Sequence, residues 1–287
     1  MATNGAVVEK RAENSMNGFE NGDATLSEDL DNANRILIHG GNISNWSRTK
    51  RKTTADSSDE LSESMVTTLN CYVPLSKPPT KLGRKTVRFV NDCFMEKIKL
   101  DERMHLKISA KIFAISLNPA VVRDSLFRAM LELGVDSIET LILTLPDIQD
   151  PEQHFTTIKS FWQEMEQLYD SGYVQTLGVC DLDKPTLEKL YDWARIKPEI
   201  DQVNLASCCV MPKDLVEYSK TRDIQLLTHA DPREMLSEER LQQVLGVVSE
   251  EMNVAGWRPS WVMRYSVLVK CRGVIKSKAY IMSCERS

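Results

Sequence analysis

Short β-branched apolar runs alternate with segments of helical periodicity from about residue 86 onward. The runs with the character of β-strands are LKISAKIFAIS, SIETLILTLP, YVQTLGVCDL, DQVNLASC, IQLLTHA and GVIKSK. Parallel neighbours need a long crossover connection, whereas antiparallel neighbours can be joined by a tight turn. The alternation therefore predicts an α/β fold built on a parallel sheet.

Helical spacing, proline starts and glycine stops place the helices between these strands. We expect helices over Asn118 to Leu133, Pro151 to Tyr169, Pro185 to Ala194, Pro212 to Thr221, Asp231 to Leu245 and Pro259 to Lys270. Gly134 is a natural end for the first of these helices.

Two architectures satisfy this alternation, a closed eight-stranded β/α barrel and a doubly wound open sheet. No G-x-G-x-x-G sequence lies at a strand-to-helix turn, so the usual dinucleotide-binding signature of the open sheet is missing. The segment 35–287 also has the length of a typical barrel. The pattern favours a TIM-type (β/α)8 barrel as a single domain over 35–287.

Residues 1–34 differ from the rest of the chain in composition. They contain six asparagines and carry seven acidic against two basic side chains, whereas the remaining residues carry 34 of each charge. With few large apolar side chains, this segment cannot bury enough surface to offset chain entropy, so we predict a disordered acidic tail. The neutral body and the lack of interleaved aromatics in the basic cluster at 48–52 argue against nucleic-acid binding.

The chain has no apolar run long enough to cross a bilayer and no signal peptide at its start, which argues against a membrane protein and against secretion. The seven cysteines are odd in number and include no C-x-x-C pair, so neither a disulfide framework nor a zinc ribbon is indicated. The four histidines show no ligand spacing either, and we expect no metal site. A cytoplasmic location is predicted.

Several strings carry a resemblance to known families. Gly178-Val179-Cys180-Asp181, then Lys197-Pro198 and Gln202-Val203-Asn204, resemble the "GVSN, KP, NQVE" pattern of aldo/keto reductases. The strings QVNLASCCVMP, DIQLLTH, GNISNW and RYSVLVKCRGVIKSK resemble more closely the regulatory (modifier) subunits of glutamate-cysteine ligase, a family with an aldo/keto reductase-like fold. The likeness extends over about 35 to 287.

This resemblance implies a noncatalytic protein that regulates glutathione synthesis. Its partner would be the catalytic subunit of glutamate-cysteine ligase, bound as a heterodimer. Binding would raise the affinity of the partner for glutamate and relieve feedback inhibition by glutathione. No cofactor of its own is expected, because the resemblance leaves ATP, magnesium and the amino acids on the partner.

The aldo/keto reductases that this chain resembles use a tyrosine as the general acid. Lysine, aspartate and histidine side chains adjust the pKa of that tyrosine and orient the substrate carbonyl. Lys111 matches the lysine, but Thr144 occupies the histidine position, and FVNDCFMEKIKL offers Asp92 without a tyrosine. The family also binds a cofactor phosphate after its last barrel strand, where this chain has Lys276-Ser277-Lys278 and then only nine residues. We therefore predict a degenerate reductase site with Lys111 and Thr144 as its remnants.

Two alternatives remain open. One is a working NADPH-dependent aldo/keto reductase, which the missing tyrosine and histidine argue against. The other is a redox-sensing adaptor that acts through cysteine. Cys208 and Cys209 stand where a barrel strand meets its loop, and alternate side chains of a strand point in opposite directions, so one of them is a candidate for reaction or intersubunit contact. Cys271, before Gly273, is a third candidate and is expected at the opposite face.

Overall fold

The computed structural model describes residues 32–45, 56–71, 80–81, 85–204, 210–246 and 254–286. Its strands form one ten-stranded sheet in the order β2-β3-β1-β10-β9-β4-β5-β6-β7-β8. The strands are β1 (Arg35–His39), β2 (Thr80–Lys81), β3 (Thr86–Val90), β4 (Leu106–Ala114), β5 (Ile138–Thr144), β6 (Val174–Cys180), β7 (Ile200–Asn204), β8 (Gln225–His229), β9 (Trp257–Val269) and β10 (Val274–Arg286).

Six α-helices are found in the described ranges, together with short 3-10 turns at Ile43–Asn45, Asp92–Phe94 and Arg103–His105. The helices are α1 (Ser57–Asn70), α2 (Ala120–Leu133), α3 (Pro151–Asp170), α4 (Lys184–Trp193), α5 (Lys213–Thr221) and α6 (Glu238–Leu245). None of these described helices combines the length and the apolar character needed to cross a membrane.

The parallel half of the sheet, β4 to β8, matches the predicted strands, and the α/β fold class is confirmed. Helices α2 to α5 pack on one face through a continuous apolar core. Gly134 ends α2 in the left-handed conformation, as predicted. Gly178 in β6 is required by close strand packing, since a Cβ there would lie 2.9 Å from Cβ of Ile200 in β7.

Residues 257–269 form β9 and not the predicted helix over Pro259 to Lys270. The segment is central in the sheet, antiparallel to both β4 and β10. Trp261, Met263, Tyr265 and Val267 share one core, whereas Val262 lies in the core on the other face. This alternation has the period of a strand, and β-branched and aromatic side chains suit a sheet buried on both faces.

The β9–β10 hairpin interrupts the repeat of strand and helix. These two strands are adjacent and antiparallel, and no helix lies between them in the chain. In the described strands the order is linear from β2 to β8, without pairing between these two edges, so the closed eight-unit repeat predicted for the barrel is not seen here. Helices α1 and α6 pack on the sheet face opposite α2 to α5, in a second core. The predicted helix over Asp231 to Leu245 begins only at Glu238, where Ser237 caps it by accepting a hydrogen bond from the Arg240 amide at 3.1 Å.

The chain before β1 is described from residue 32 onward, so residues 1–31 of the predicted tail lie outside the described residues. Ala33 is buried, and the carbonyl of Asn34 accepts a hydrogen bond from the Arg286 amide at 2.9 Å. Residues 33 and 34 thus contact the last strand of the sheet.

Candidate functional site

A cleft of about 540 Å³ opens at the carboxyl ends of the parallel strands. The last residues of four neighbouring strands, β5 to β8, line it: Thr144, Cys180, Asn204 and His229. Parallel strands deliver their carboxyl ends to a single edge, and this edge is where α/β proteins place ligand and catalytic sites. The cleft is therefore the candidate functional site.

A buried ion cluster lies at one end of the cleft and is centred on Asp231. Nζ of Lys111 donates to Oδ2 of Asp231 at 2.8 Å, and Arg264 donates to both carboxylate oxygens, at 2.9 Å for its Nη2. Ser57 of α1 adds a hydroxyl hydrogen bond to Oδ1 at 2.7 Å. Burial alone would raise the pKa of Asp231, but hydrogen bonds from His229 and Arg264 and the charges of Arg264 and Lys111 hold that pKa well below its usual range.

The imidazole of His229 lies between two carboxylates. Its Nε2 is 3.1 Å from both carboxylate oxygens of Asp181, and its Nδ1 is 3.3 Å from Oδ2 of Asp231. Burial opposes a charged ring, yet hydrogen bonds with Asp181, Asp231 and Cys180 raise the pKa of His229 to about 11. The Asp231 backbone amide also donates a hydrogen bond to Nδ1 at 3.1 Å.

Cys180 and Asp181 reach this imidazole from the end of β6. Sγ of Cys180 lies 3.1 Å from Nε2 of His229 and 3.5 Å from Oδ2 of Asp181. Asp181 adopts the left-handed conformation with φ of 57°, which aspartate tolerates better than most side chains. The backbone amide of Asn204 donates to Oδ1 of Asp181 at 2.7 Å and fixes the carboxylate. Burial raises the pKa of Asp181, and the hydrogen bond and charge of His229 outweigh it, so the net shift is downward.

Two of the residues singled out from the sequence lie at this site. Lys111 is 4% exposed and ion-paired with Asp231. Thr144 lines the cleft, and its buried hydroxyl finds no hydrogen-bond partner among the described residues.

The cysteines singled out from the sequence do not meet in the cleft. Cys208 and Cys209 lie outside the described residues. Cys271 is exposed in the turn between β9 and β10, which lies at the amino end of β4 and therefore away from the cleft, as expected.

The sequence analysis did not identify the group formed by Cys180, Asp181, His229, Asp231 and Arg264. In the sequence, Cys180 and Asp181 are part of a family motif, and His229 shows no ligand spacing. The available signal was positional, because Cys180-Asp181 and His229 lie at the carboxyl ends of two predicted strands of one parallel sheet, and Asp231 comes directly after the second. Within the described residues, Cys180, Asp181 and His229 are also the group whose side chains could jointly hold a metal ion.

Comparisons with known proteins place these observations in a family. Residues 89–231, which include β4 to β8, match the model of the aldo/keto reductase family. A solved aldo-keto reductase, MGS-M4 from a deep-sea metagenome library, superposes with a TM-score of 0.36 at 21% identity over 46% of this chain and 45% of that chain.

Longer matches come from curated relatives. The glutamate–cysteine ligase regulatory subunit of Mus musculus is 40% identical over 263 residues, which cover 90% of this chain and 95% of the mouse protein. The subunit of the same name from Homo sapiens is 39% identical over 266 residues, again 90% of this chain and 95% of the relative. At this identity and coverage, the chain belongs to the glutamate–cysteine ligase regulatory subunit family.

Proposed function

We propose that this chain is a noncatalytic regulatory subunit that binds the catalytic subunit of glutamate–cysteine ligase in the cytoplasm and forms a heterodimer with it. The observation that carries the proposal is the match to regulatory subunits of that name over 95% of their length. In the heterodimer, the chain raises the affinity of the catalytic subunit for glutamate and relieves its inhibition by glutathione.

The described cleft supports a noncatalytic role. A reductase tyrosine acts with a nearby cation that lowers its pKa, and at this site Lys111, paired with Asp231, is such a cation. No tyrosine is found among the described residues that line the cleft. Thr144, at the position of the reductase histidine, offers a hydroxyl that has no titration near neutral pH.

The residues present do not fit the reductase cofactor NADPH. Two lysines near the end of the chain are the candidates for its phosphate, and both are paired with carboxylates: Lys276 with Glu102, and Lys278 with Glu60 at 2.5 Å. Ser277 between them is buried in β10. An anionic phosphate would have to displace a carboxylate to reach either lysine, so we derive no step through this cofactor.

Regulation by binding requires a difference in affinity between two states of the partner. If the chain binds more tightly to the state with high glutamate affinity, it shifts the partner toward that state. By linkage, glutamate must then tighten the heterodimer by the same factor. Coupling of the usual size corresponds to roughly 5- to 150-fold in affinity.

The test is a titration of this chain into the purified catalytic subunit under reducing conditions, with and without saturating glutamate. We expect one-to-one binding that is tighter with glutamate, and a lower glutamate requirement together with weaker glutathione inhibition of the ligase. Absence of a complex would reject the proposed function. Equal affinities in the two conditions would reject the shift between states.

Cysteine variants examine whether the interface is noncovalent. We expect the double variant Cys208→Ser, Cys209→Ser and the single variant Cys271→Ser to form the complex under reducing conditions with only partial loss of activation. Complete loss of binding by a folded variant would show that the thiol is required, as the redox-adaptor alternative demands.

A further inference from the structure

We propose that Cys180, Asp181 and His229 form a binding site for a divalent cation of the zinc type, with one coordination position left open to the cleft. The proposal is independent of the ligase partner. It rests on three donor atoms of the preferred chemistry that two strand ends bring together, and on the hydrogen bonds that orient them.

The distances between the donor atoms are close to those of a tetrahedral site. Zinc bonds of about 2.0 to 2.3 Å separate neighbouring ligand atoms by roughly 3.3 to 3.6 Å. Sγ of Cys180 lies 3.1 Å from Nε2 of His229 and 3.5 Å from Oδ2 of Asp181, and Nε2 lies 3.1 Å from that oxygen. An increase of a few tenths of an ångström in the two 3.1 Å distances would bring all three into this range.

The atoms around the three donors form the outer shell that metal sites use. Contacts beyond the metal ligands orient a ligand side chain. Nδ1 of His229 accepts a hydrogen bond from the Asp231 amide at 3.1 Å and lies 3.3 Å from Oδ2 of the same residue, whose carboxylate Lys111 and Arg264 hold in place. The second donor carboxylate is also fixed, since Asp181 accepts the Asn204 amide hydrogen bond at 2.7 Å.

The donor set selects among cations. Thiolate and imidazole favour zinc and related transition metals over magnesium and calcium, which prefer oxygen ligands alone. Cys180 is buried and the His229 side chain is 6% exposed, whereas the Asp181 side chain is 43% exposed and lines the cleft. Three protein ligands with an open side are the arrangement of zinc sites that accept a further ligand.

The experiment uses the full chain, freed of metal with a chelator and kept reduced, and Co²⁺ as a spectroscopic probe. We expect one equivalent of Co²⁺ to give the visible bands of a tetrahedral ion and a thiolate-to-cobalt charge-transfer band in the near ultraviolet. Zinc should displace the cobalt and abolish both signals, and magnesium should not.

Three variants identify the ligands. Cys180→Ser should lose the charge-transfer band, and His229→Gln should bind Co²⁺ at least about tenfold more weakly. Asp181→Asn should keep the charge-transfer band with an affinity also reduced about tenfold. Asparagine adopts the left-handed conformation readily, so this variant tests the carboxylate without disturbing the backbone. Cys93→Ser, at an exposed cysteine, and His154→Gln, at a histidine that lines the same cleft, are matched controls that should bind as the wild type does.

Three results would each overturn the proposal. These are the absence of a tetrahedral cobalt spectrum in the wild type, a charge-transfer band that survives in Cys180→Ser, and unchanged affinity in both folded Asp181→Asn and folded His229→Gln. Circular dichroism of each metal-free variant separates loss of binding from loss of fold. Loss of the spectrum in Cys93→Ser would place the site elsewhere and would equally contradict it.

Discussion

Nζ of Lys111 and Oδ2 of Asp231 lie 2.8 Å apart, although the two residues are 120 positions apart in the chain. The pair joins β4 to the segment after β8 and is buried on both sides. Arg264 shares the same carboxylate, so one negative charge serves two cations within a part of the molecule that water hardly reaches.

Asp231→Asn should therefore be strongly destabilising. The change keeps the shape of the side chain and leaves Lys111 and Arg264 without their counter-charge, and the loss of one partner from a buried pair costs roughly 3 to 5 kcal/mol. Urea unfolding followed by circular dichroism measures the loss. Asp147→Asn is the matched control, because its pair with Arg233 is exposed, and such pairs contribute about 1 kcal/mol or less. A similar small effect in both variants would contradict the role given to the buried cluster.

The composition of this cluster could not be predicted from the sequence. Lys111, Asp231 and Arg264 belong to three separate segments, and only the sheet register, in which Lys111 faces Arg264, brings them together. The same holds for His229. Its neighbours Cys180 and Asp181 lie at the end of β6, two strands away in the sheet, so no short sequence motif links them to His229. The sequence could predict that strand ends converge at one edge, but not which side chains would meet there.

Tyr265→Phe tests a second buried polar group, in which Glu132 accepts hydrogen bonds from two directions. The hydroxyl of Tyr265 donates to Oε1 at 2.7 Å, and the His39 ring lies 2.6 Å from Oε2. Burial and the nearby Glu132 charge raise the pKa of Tyr265, so the phenol stays a donor. Removing the hydroxyl should lower the free energy of unfolding by roughly 1.5 to 3 kcal/mol, as for a hydrogen bond to a charged group.

Tyr173→Phe serves as the control for that measurement. The described contact of Tyr173 is an edge-to-face packing against the Phe127 ring, which phenylalanine retains. We expect a change within about 0.5 kcal/mol, as for most substitutions away from buried polar groups. Equal effects of the two tyrosine variants would mean that the Glu132 hydrogen bond contributes nothing.

The strands that were predicted correctly and the one that was not differ in their patterns. Segments such as SIETLILTLP show strand character alone, and their prolines and glycines mark the ends. Residues 257–269 have apolar side chains that fit a helical period as well as a strand period, so the local pattern does not decide between them. Pairing decides it, because residues 261–269 form hydrogen-bonded ladders with β4 on one side and β10 on the other, which a helix in this position would leave unmade.

Asp201 should make the stability of the protein depend on pH. Burial raises its pKa to about 8 in the folded state, far above the value of about 3.9 in an unfolded chain. Between these values the folded state holds a proton that the unfolded state has lost. The contribution of this group is therefore fully present below about pH 4 and is lost as the pH rises to 8, by at most about 1.4 kcal/mol per pH unit.

Comparison with Asp201→Asn isolates that contribution, since the amide does not titrate. The free energy of unfolding of the variant relative to the wild type should rise steadily from pH 5 to pH 8 and then level off. Urea titrations at four pH values in one buffer system provide the measurement. Parallel curves for the two proteins would show that the folded-state pKa of Asp201 is close to normal.

Truncation at two neighbouring points tests where the folded body begins. Residues 1–31 are polar and acidic, and we predict that their deletion leaves the melting temperature and the binding of the ligase catalytic subunit unchanged. Deletion of residues 1–34 also removes the buried Ala33 side chain and two backbone hydrogen bonds of Asn34. In one, the Asn34 amide donates to the Lys85 carbonyl at 3.0 Å, and in the other, the Asn34 carbonyl accepts from the Arg286 amide at 2.9 Å. Each such bond contributes about 1 kcal/mol, so the longer deletion should be destabilised by roughly 1 to 3 kcal/mol. Thermal unfolding and gel filtration with the catalytic subunit measure both effects. A lower melting temperature after deletion of 1–31 alone would contradict the predicted tail, and equal stability of the two truncated proteins would show that residues 32–34 do not contribute to the sheet edge.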